Sequence, residues 1–165
     1  MKNKETGIEA NRHPIIPNHY FSYVSSECQL LFQGGYYYGC IALCQCVAEA
    51  LARFMYEKWT GNLPAEKFEA NIQKIKNEHV QPDVSNLLNG IHGGQQRHDF
   101  HHLNKTVPIE YEKLRKIATD KIDLLNRVES QVFEYEITET GLKVKYPKYW
   151  EIINGFYNTF LRIRH

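Results

Sequence analysis

The chain has 165 residues, 42% of them hydrophobic and 24% charged, with 10 Gly and 6 Pro. That is the composition of one globular domain, neither disordered nor fibrous, and long enough to bury a core. The net charge of +1 excludes a strong overall field for nucleic acid, so such a partner would need a local basic patch.

The opening residues carry charge but no apolar signal core, and no run of about 18 uncharged apolar residues is present; a cytoplasmic protein with no membrane partner is expected. Residues 1–16 show no periodicity and are expected to form a loose arm, with Pro14 and Pro17 marking an extended lead-in. Asn18 is placed to cap a first helix to about Gln33, with Phe21, Val24, Cys28, Leu31 and Phe32 on one side, and Gly34-Gly35 stops it. A second helix, from about Tyr36 to Trp59, carries a stripe of Tyr37, Ile41, Cys44, Val47, Leu51 and Met55, widened by Cys40, Leu43, Ala50 and Phe54. A helix apolar over so much of its surface belongs in the middle of a bundle. The short glycine break makes these two helices an antiparallel hairpin.

Pro64 opens a third helix, about 65–79, with Phe68, Ile72 and Ile75 inward. Pro82 opens a fourth segment, helical in its first half and weakened by Gly90, Gly93 and Gly94. Thr106 is placed to cap a long fifth helix to about Val132, whose stripe includes Leu114, Ile117, Lys121/Ile122, Leu125 and Val128. The period then changes to two: Phe133, Tyr135 and Ile137 alternate with polar residues, as do Leu142, Val144 and Tyr146, around Thr138-Glu139-Thr140-Gly141. That pattern predicts a β-hairpin. After Pro147 a final aromatic helix is expected over about 148–162, with Trp150, Ile153, Phe156, Tyr157 and Phe160. The expected fold is an all-α antiparallel bundle of about five to six helices with a small β-hairpin near the C-terminus, in one domain spanning 1–165.

Cys28, Cys40, Cys44 and Cys46 are read as small core hydrophobes in a reducing compartment, although Cys40 and Cys44 share a helix face that could hold a metal. A basic patch could be drawn from Lys113, Arg115, Lys116, Lys121 and Arg127 on one helix and Lys143, Lys145 and Lys148 beyond it. The alternative is a solvated face of paired charges.

The chemistry-bearing stretch is Gln95-Gln96-Arg97-His98-Asp99-Phe100-His101-His102, expected on a loop between helices, with His92 and the more distant His79 near it. Three readings are open. The first is a structural cluster, with Arg97 paired to a carboxylate and the histidines capping helix ends. The second is a metal site built on His98 and His102 at i,i+4 with Asp99 near, though no recognised ligand spacing is present. The third is acid–base chemistry on a phosphodiester, with histidine moving protons and arginine holding phosphate oxygens.

Arg97, the polar His98 and His102 follow the order Arg-polar-x3-His. Upstream, Leu30-Leu31-Phe32-Gln33-Gly34-Gly35-Tyr36-Tyr37-Tyr38-Gly39-Cys40 leads to Val47-Ala48-Glu49-Ala50-Leu51: a helix, a glycine turn, a tyrosine-rich start and a Glu within the second helix. With that motif, this run resembles the HEPN family of small helical-bundle proteins over about residues 18–130; residues 133–165 look like an extension. The resemblance implies a metal-independent endoribonuclease needing no cofactor, possible as a toxin or defence effector. It also implies a homodimer in which two motifs face one cleft, and an antitoxin or other partner protein. Carried over by position, Arg97 stabilises phosphate charge, His102 is the general acid or base, and His98 orients the phosphate. His101 is a supporting residue that could substitute for His102, although with three residues between it and Arg97 it falls outside the family spacing. Glu49, among apolar neighbours, needs a partner if buried, and Arg97 is the partner this pattern suggests; an exposed helix position is the alternative. Asp99 beside the motif would repel RNA unless neutralised. The competing functions are a non-catalytic HEPN-like module that binds nucleotides or proteins, with the aromatic C-terminal segment as a partner surface, and a metal-dependent hydrolase.

Overall fold

A computed structural model describes residues 13–78, 82–93 and 95–162. His79, Gly94 and the arm residues 1–12 lie outside them. The elements in order are β1 (Ile15–Pro17), α1 (Ser22–Gln33), α2 (Tyr37–Thr60), α3 (Phe68–Glu78), α4 (Pro82–His92), α5 (Gln95–His102), α6 (Tyr111–Val132), β2 (Tyr135–Thr138), β3 (Gly141–Val144), β4 (Ile152–Ile153), β5 (Phe156–Tyr157) and β6 (Thr159–Leu161). The architecture is an all-α bundle with a small β region at its C-terminal end.

α2 is the central helix. Its stripe at Cys40, Ile41, Cys44, Ala48, Leu51 and Met55 is wholly buried, and α1, α3, α4, α5 and α6 all pack against it. Burial of each such Leu, Ile or Met contributes about 1.5–3 kcal/mol. By length and mean hydropathy α2 would pass for a membrane span; here 56% of that apolar stretch is buried within the bundle. The α1–α2 hairpin closes at the glycine turn, where Gly34 N donates to Leu30 O at 2.9 Å and Tyr36 N to Leu31 O at 2.9 Å.

Several expected boundaries move, each for a local reason. Asn18 does not cap α1, because the β1–β6 pairing claims it: its N donates to Asn158 O at 2.9 Å and its Nδ2 to Asn158 Oδ1 at 3.2 Å. Ser22 takes over the entry to α1, its Oγ accepting from His19 N at 2.8 Å and donating to Pro17 O at 3.0 Å. α3 starts late because buried Asn71 reaches back and holds Ala65 through both its N and its O, at 2.9 and 2.8 Å. α6 starts at Tyr111 rather than after Thr106, since Pro108 disfavours helical geometry at Val107.

The largest correction is at the C-terminus. No helix forms over 148–162. A 3₁₀ turn at Pro147–Tyr149 leads into the β4–β5 hairpin, whose tip is Asn154-Gly155 with φ 52° and 83°. Asn-Gly between apolar residues favours a tight hairpin turn with both φ positive, a stronger signal than the loose aromatic spacing that suggests a helix. β6 then pairs antiparallel with β1, Ile16 opposite Phe160. Residues 15–16, expected in the loose arm, are therefore strand. Arg162, buried just after β6, places Nη2 2.6 Å from Glu129 on α6 and 2.9 Å from Ser25 Oγ on α1. Tyr149 and Trp150 are core residues packed edge-on against Phe133, which leaves Phe156 as the strongly exposed aromatic of the segment.

Of the four cysteines, Cys28, Cys40 and Cys44 are buried as expected, whereas Cys46 is exposed.

Candidate functional site

The segment expected as a loop is helical. Gly93 ends α4 in a left-handed conformation, φ 76°, its N donating to Asn89 O at 2.9 Å. A side chain there would be strained, and it would also collide: an added Cβ would lie 2.8 Å from Lys121 Nζ and 3.3 Å from Gln96 Oε1. α5 follows and runs unbroken from Gln95 to His102. Phe100, 2% exposed, anchors it, and its carbonyl accepts a hydrogen bond from the Tyr38 hydroxyl at the start of α2.

That anchor fixes the directions of the polar side chains. With about 100° between successive helical residues, Arg97 and His101 point within about 40° of each other, while His102 points about 140° from Arg97. Two pairs result. Arg97 and His101 point to one side of α5, Arg97 partly buried and His101 exposed. His98 and His102 share an exposed face, their ring centroids 4.4 Å apart.

Glu49 on α2 joins Arg97 to the end of α4. Its Oε1 is 2.7 Å from Arg97 Nε and 3.2 Å from His92 Nε2. The Arg97 contact is one of charge, since the Nε hydrogen is not directed along a hydrogen bond. Its Nε is buried, yet 33% of the side chain remains exposed. Glu49 itself is 25% exposed, neither the fully buried nor the free position that the sequence offered. His92 is held flat against Phe68 of α3, centroids 3.9 Å apart and planes 10° from parallel. Burial pushes the His92 pKa down, with Arg97 adding to this and Glu49 opposing it. In its neutral form His92 donates Nε2–H to the carboxylate.

His101 also has a lowered pKa, through burial first and then the Arg97 charge, with Glu49 opposing and His102 adding a smaller push downward. Cys46, on the turn of α2 before Glu49, has its thiol pushed up by burial and by the Glu49 charge. Asp99 is turned to the far end of α5: its Oδ1 accepts from Asn104 Nδ2 at 2.8 Å, and its carbonyl accepts from Asn104 N at 3.0 Å. Among the described residues no group of three or more His, Cys, Asp or Glu side chains is placed to hold a metal ion.

The suggested basic patch is largely paired. Lys113 lies 2.8 Å from Glu110, Arg115 3.8 Å from Glu112, Lys143 3.9 Å from Glu136 and Lys145 2.6 Å from Glu134. Lys148 lies over the Trp59 ring at 4.5 Å. Lys121 is buried, with Nζ donating to Gly90 O at 2.6 Å and its pKa lowered by that burial. Sequence reasoning missed the role of Lys121 as a polar core residue next to Gly93; its place within the apolar stripe of α6 was the available signal. His92, as the link between Glu49 and α3, was visible only as a neighbour of the cluster.

Comparison of the chain with models of known protein families, with curated proteins and with solved structures finds no match.

Proposed function

We propose that this chain is a metal-independent endoribonuclease acting at α5, of the kind implied by its resemblance to the HEPN family. One observation carries the reading: Arg97 is braced from behind by Glu49 while a third of its side chain stays open, with exposed histidines on the same two-turn helix. An arginine held in place supplies fixed positive charge for a phosphodiester that gains charge as it is attacked. Imidazoles beside it can move protons near neutral pH. The 2′-hydroxyl of the RNA is the nucleophile, so neither metal nor cofactor is required. The reading carries with it an RNA substrate, a homodimer that brings two such helices to one cleft, and a neutralising partner protein in the cytoplasm.

A second reading has its own support. Glu49 already engages the Arg97 charge, and the basic side chains of α6 and the hairpin are mostly paired. That arrangement suits a non-catalytic module which binds a nucleotide or a protein. Incubation of a mixed RNA pool with purified protein in EDTA separates the two. Cleavage by wild type to 2′,3′-cyclic phosphate ends, with none by Arg97→Ala, supports the nuclease. An intact pool with wild type removes it and leaves the binding module.

A further inference from the structure

We infer that His101, rather than His102, is the proton-transfer residue partnered with Arg97. This rests on the nuclease reading above and specifies its machinery.

The argument is one of helix geometry. A phosphate held at the exposed part of Arg97 lies on the Arg97 side of α5. His101 is one helical turn along that side, where side chains four residues apart are neighbours at about 5–6 Å between Cβ atoms. His102 is turned about 140° away and meets His98 instead. Within one protomer α5 keeps Arg97 and His102 turned apart, since the helix is continuous and pinned at Phe100 by Tyr38. His101 lies in the field of both Arg97 and Glu49.

The chemistry balances on His101 alone. Neutral His101 takes the proton of the 2′-hydroxyl. The 2′-oxygen forms a bond to phosphorus while the bond from phosphorus to the 5′-oxygen breaks. Water supplies a proton to the departing 5′-oxygen, and the His101 imidazolium returns its proton to solvent. The products are a 2′,3′-cyclic phosphate and a 5′-hydroxyl. Glu49 is a positioning residue, bracing Arg97 through its Oε1 and held by His92. The charged and titratable groups that act on His101 are Arg97 and His102 on α5 and Glu49 on α2.

The test is single-turnover cleavage of the RNA pool in EDTA across pH, with wild type, His101→Gln, His102→Gln and Arg97→Ala. His101→Ala is assayed with and without added imidazole. All three histidine positions on α5 are exposed, so these variants are expected to fold, which circular dichroism checks. Loss of a general base is expected to slow the reaction by about 10²–10⁴-fold in His101→Gln, exceeding the loss in His102→Gln by about tenfold or more. The wild-type rate should rise with pH through the deprotonation of one group below the usual histidine midpoint. That limb should vanish in His101→Gln, and imidazole should restore His101→Ala in proportion to its concentration. If His102→Gln instead loses both the rate and the limb while His101→Gln keeps them, this inference falls and the nuclease reading stands. If wild type leaves the pool intact, both fall together.

Discussion

Arg162 Nη2 lies 2.6 Å from Glu129 Oε2, with both side chains almost wholly buried, and the contact fastens the end of β6 to α6. Ser25 completes the network by donating to Glu129 and accepting from Arg162, so β6, α6 and α1 share one polar knot inside the core. Removing one member of a buried ion pair leaves the other charge without compensation. Arg162→Met is expected to cost about 3–5 kcal/mol in urea unfolding, and Glu129→Gln on top of it should recover part of that loss. Additive losses in the double variant would show that the pair is not coupled.

Glu49 holds two partners that respond in opposite ways to its removal. In Glu49→Gln, His92 loses the carboxylate that raises its pKa, so its midpoint should fall further below the ordinary histidine value. Histidine ring signals followed by NMR across pH report this directly. Arg97 is released at the same time, so a 2′-deoxy oligonucleotide should bind Glu49→Gln more tightly than wild type in a filter-binding assay. The stability cost should be small, about 1 kcal/mol or less, because Glu49 and Arg97 are partly exposed.

Acid should destabilise this fold in a defined window. His19 sits among Phe21, Phe54 and Phe133, and neither ring nitrogen has a hydrogen-bond partner among the described residues. Burial lowers its pKa to about 3, with the Arg162 charge adding to the effect. The unfolded chain takes up a proton near the ordinary value of 6.5, and the folded chain does not until about pH 3. Stability is therefore full above pH 6.5 and declines toward pH 3 by up to about 1.4 kcal/mol per unit for this residue. The lowered His13, His92 and His101 act in the same direction. His19→Leu should flatten the slope of unfolding free energy against pH by about one proton; an unchanged slope would contradict the burial of a neutral His19.

Gly93 joins α4 to α5 and lies against Lys121. Gly93→Ala places a Cβ in the left-handed region, at a cost of about 1–2 kcal/mol, and displaces the Lys121 amine from Gly90 O. Thermal unfolding should show the loss, and the α5 histidine signals should move with it.

The cysteines should separate by reactivity. Iodoacetamide should label Cys46 alone in the native protein and all four residues once the chain is unfolded. Labelling of Cys46 should accelerate only at alkaline pH, since its thiol is pushed upward by burial and by Glu49. Mass spectrometry counts the adducts.

The amino-acid order by itself determined the helical bundle. The α1–α2 hairpin, the central place of α2, the inward Phe68, Ile72 and Ile75 and the β2–β3 hairpin all follow from apolar spacing and glycine or proline breaks, which are local signals. The contact of Glu49 with Arg97 was legible too, because a carboxylate within an apolar helix calls for a cation. Tertiary structure decided the rest. Asn18 lost its capping role because Asn158 meets it from the far end of the chain, and the C-terminal segment became strands because the Asn154-Gly155 turn and the edge of β1 outweighed a weak helical spacing. Motif spacing alone assigned the acid–base role to His102, and spacing becomes direction only once Phe100 anchors α5 and fixes its rotation.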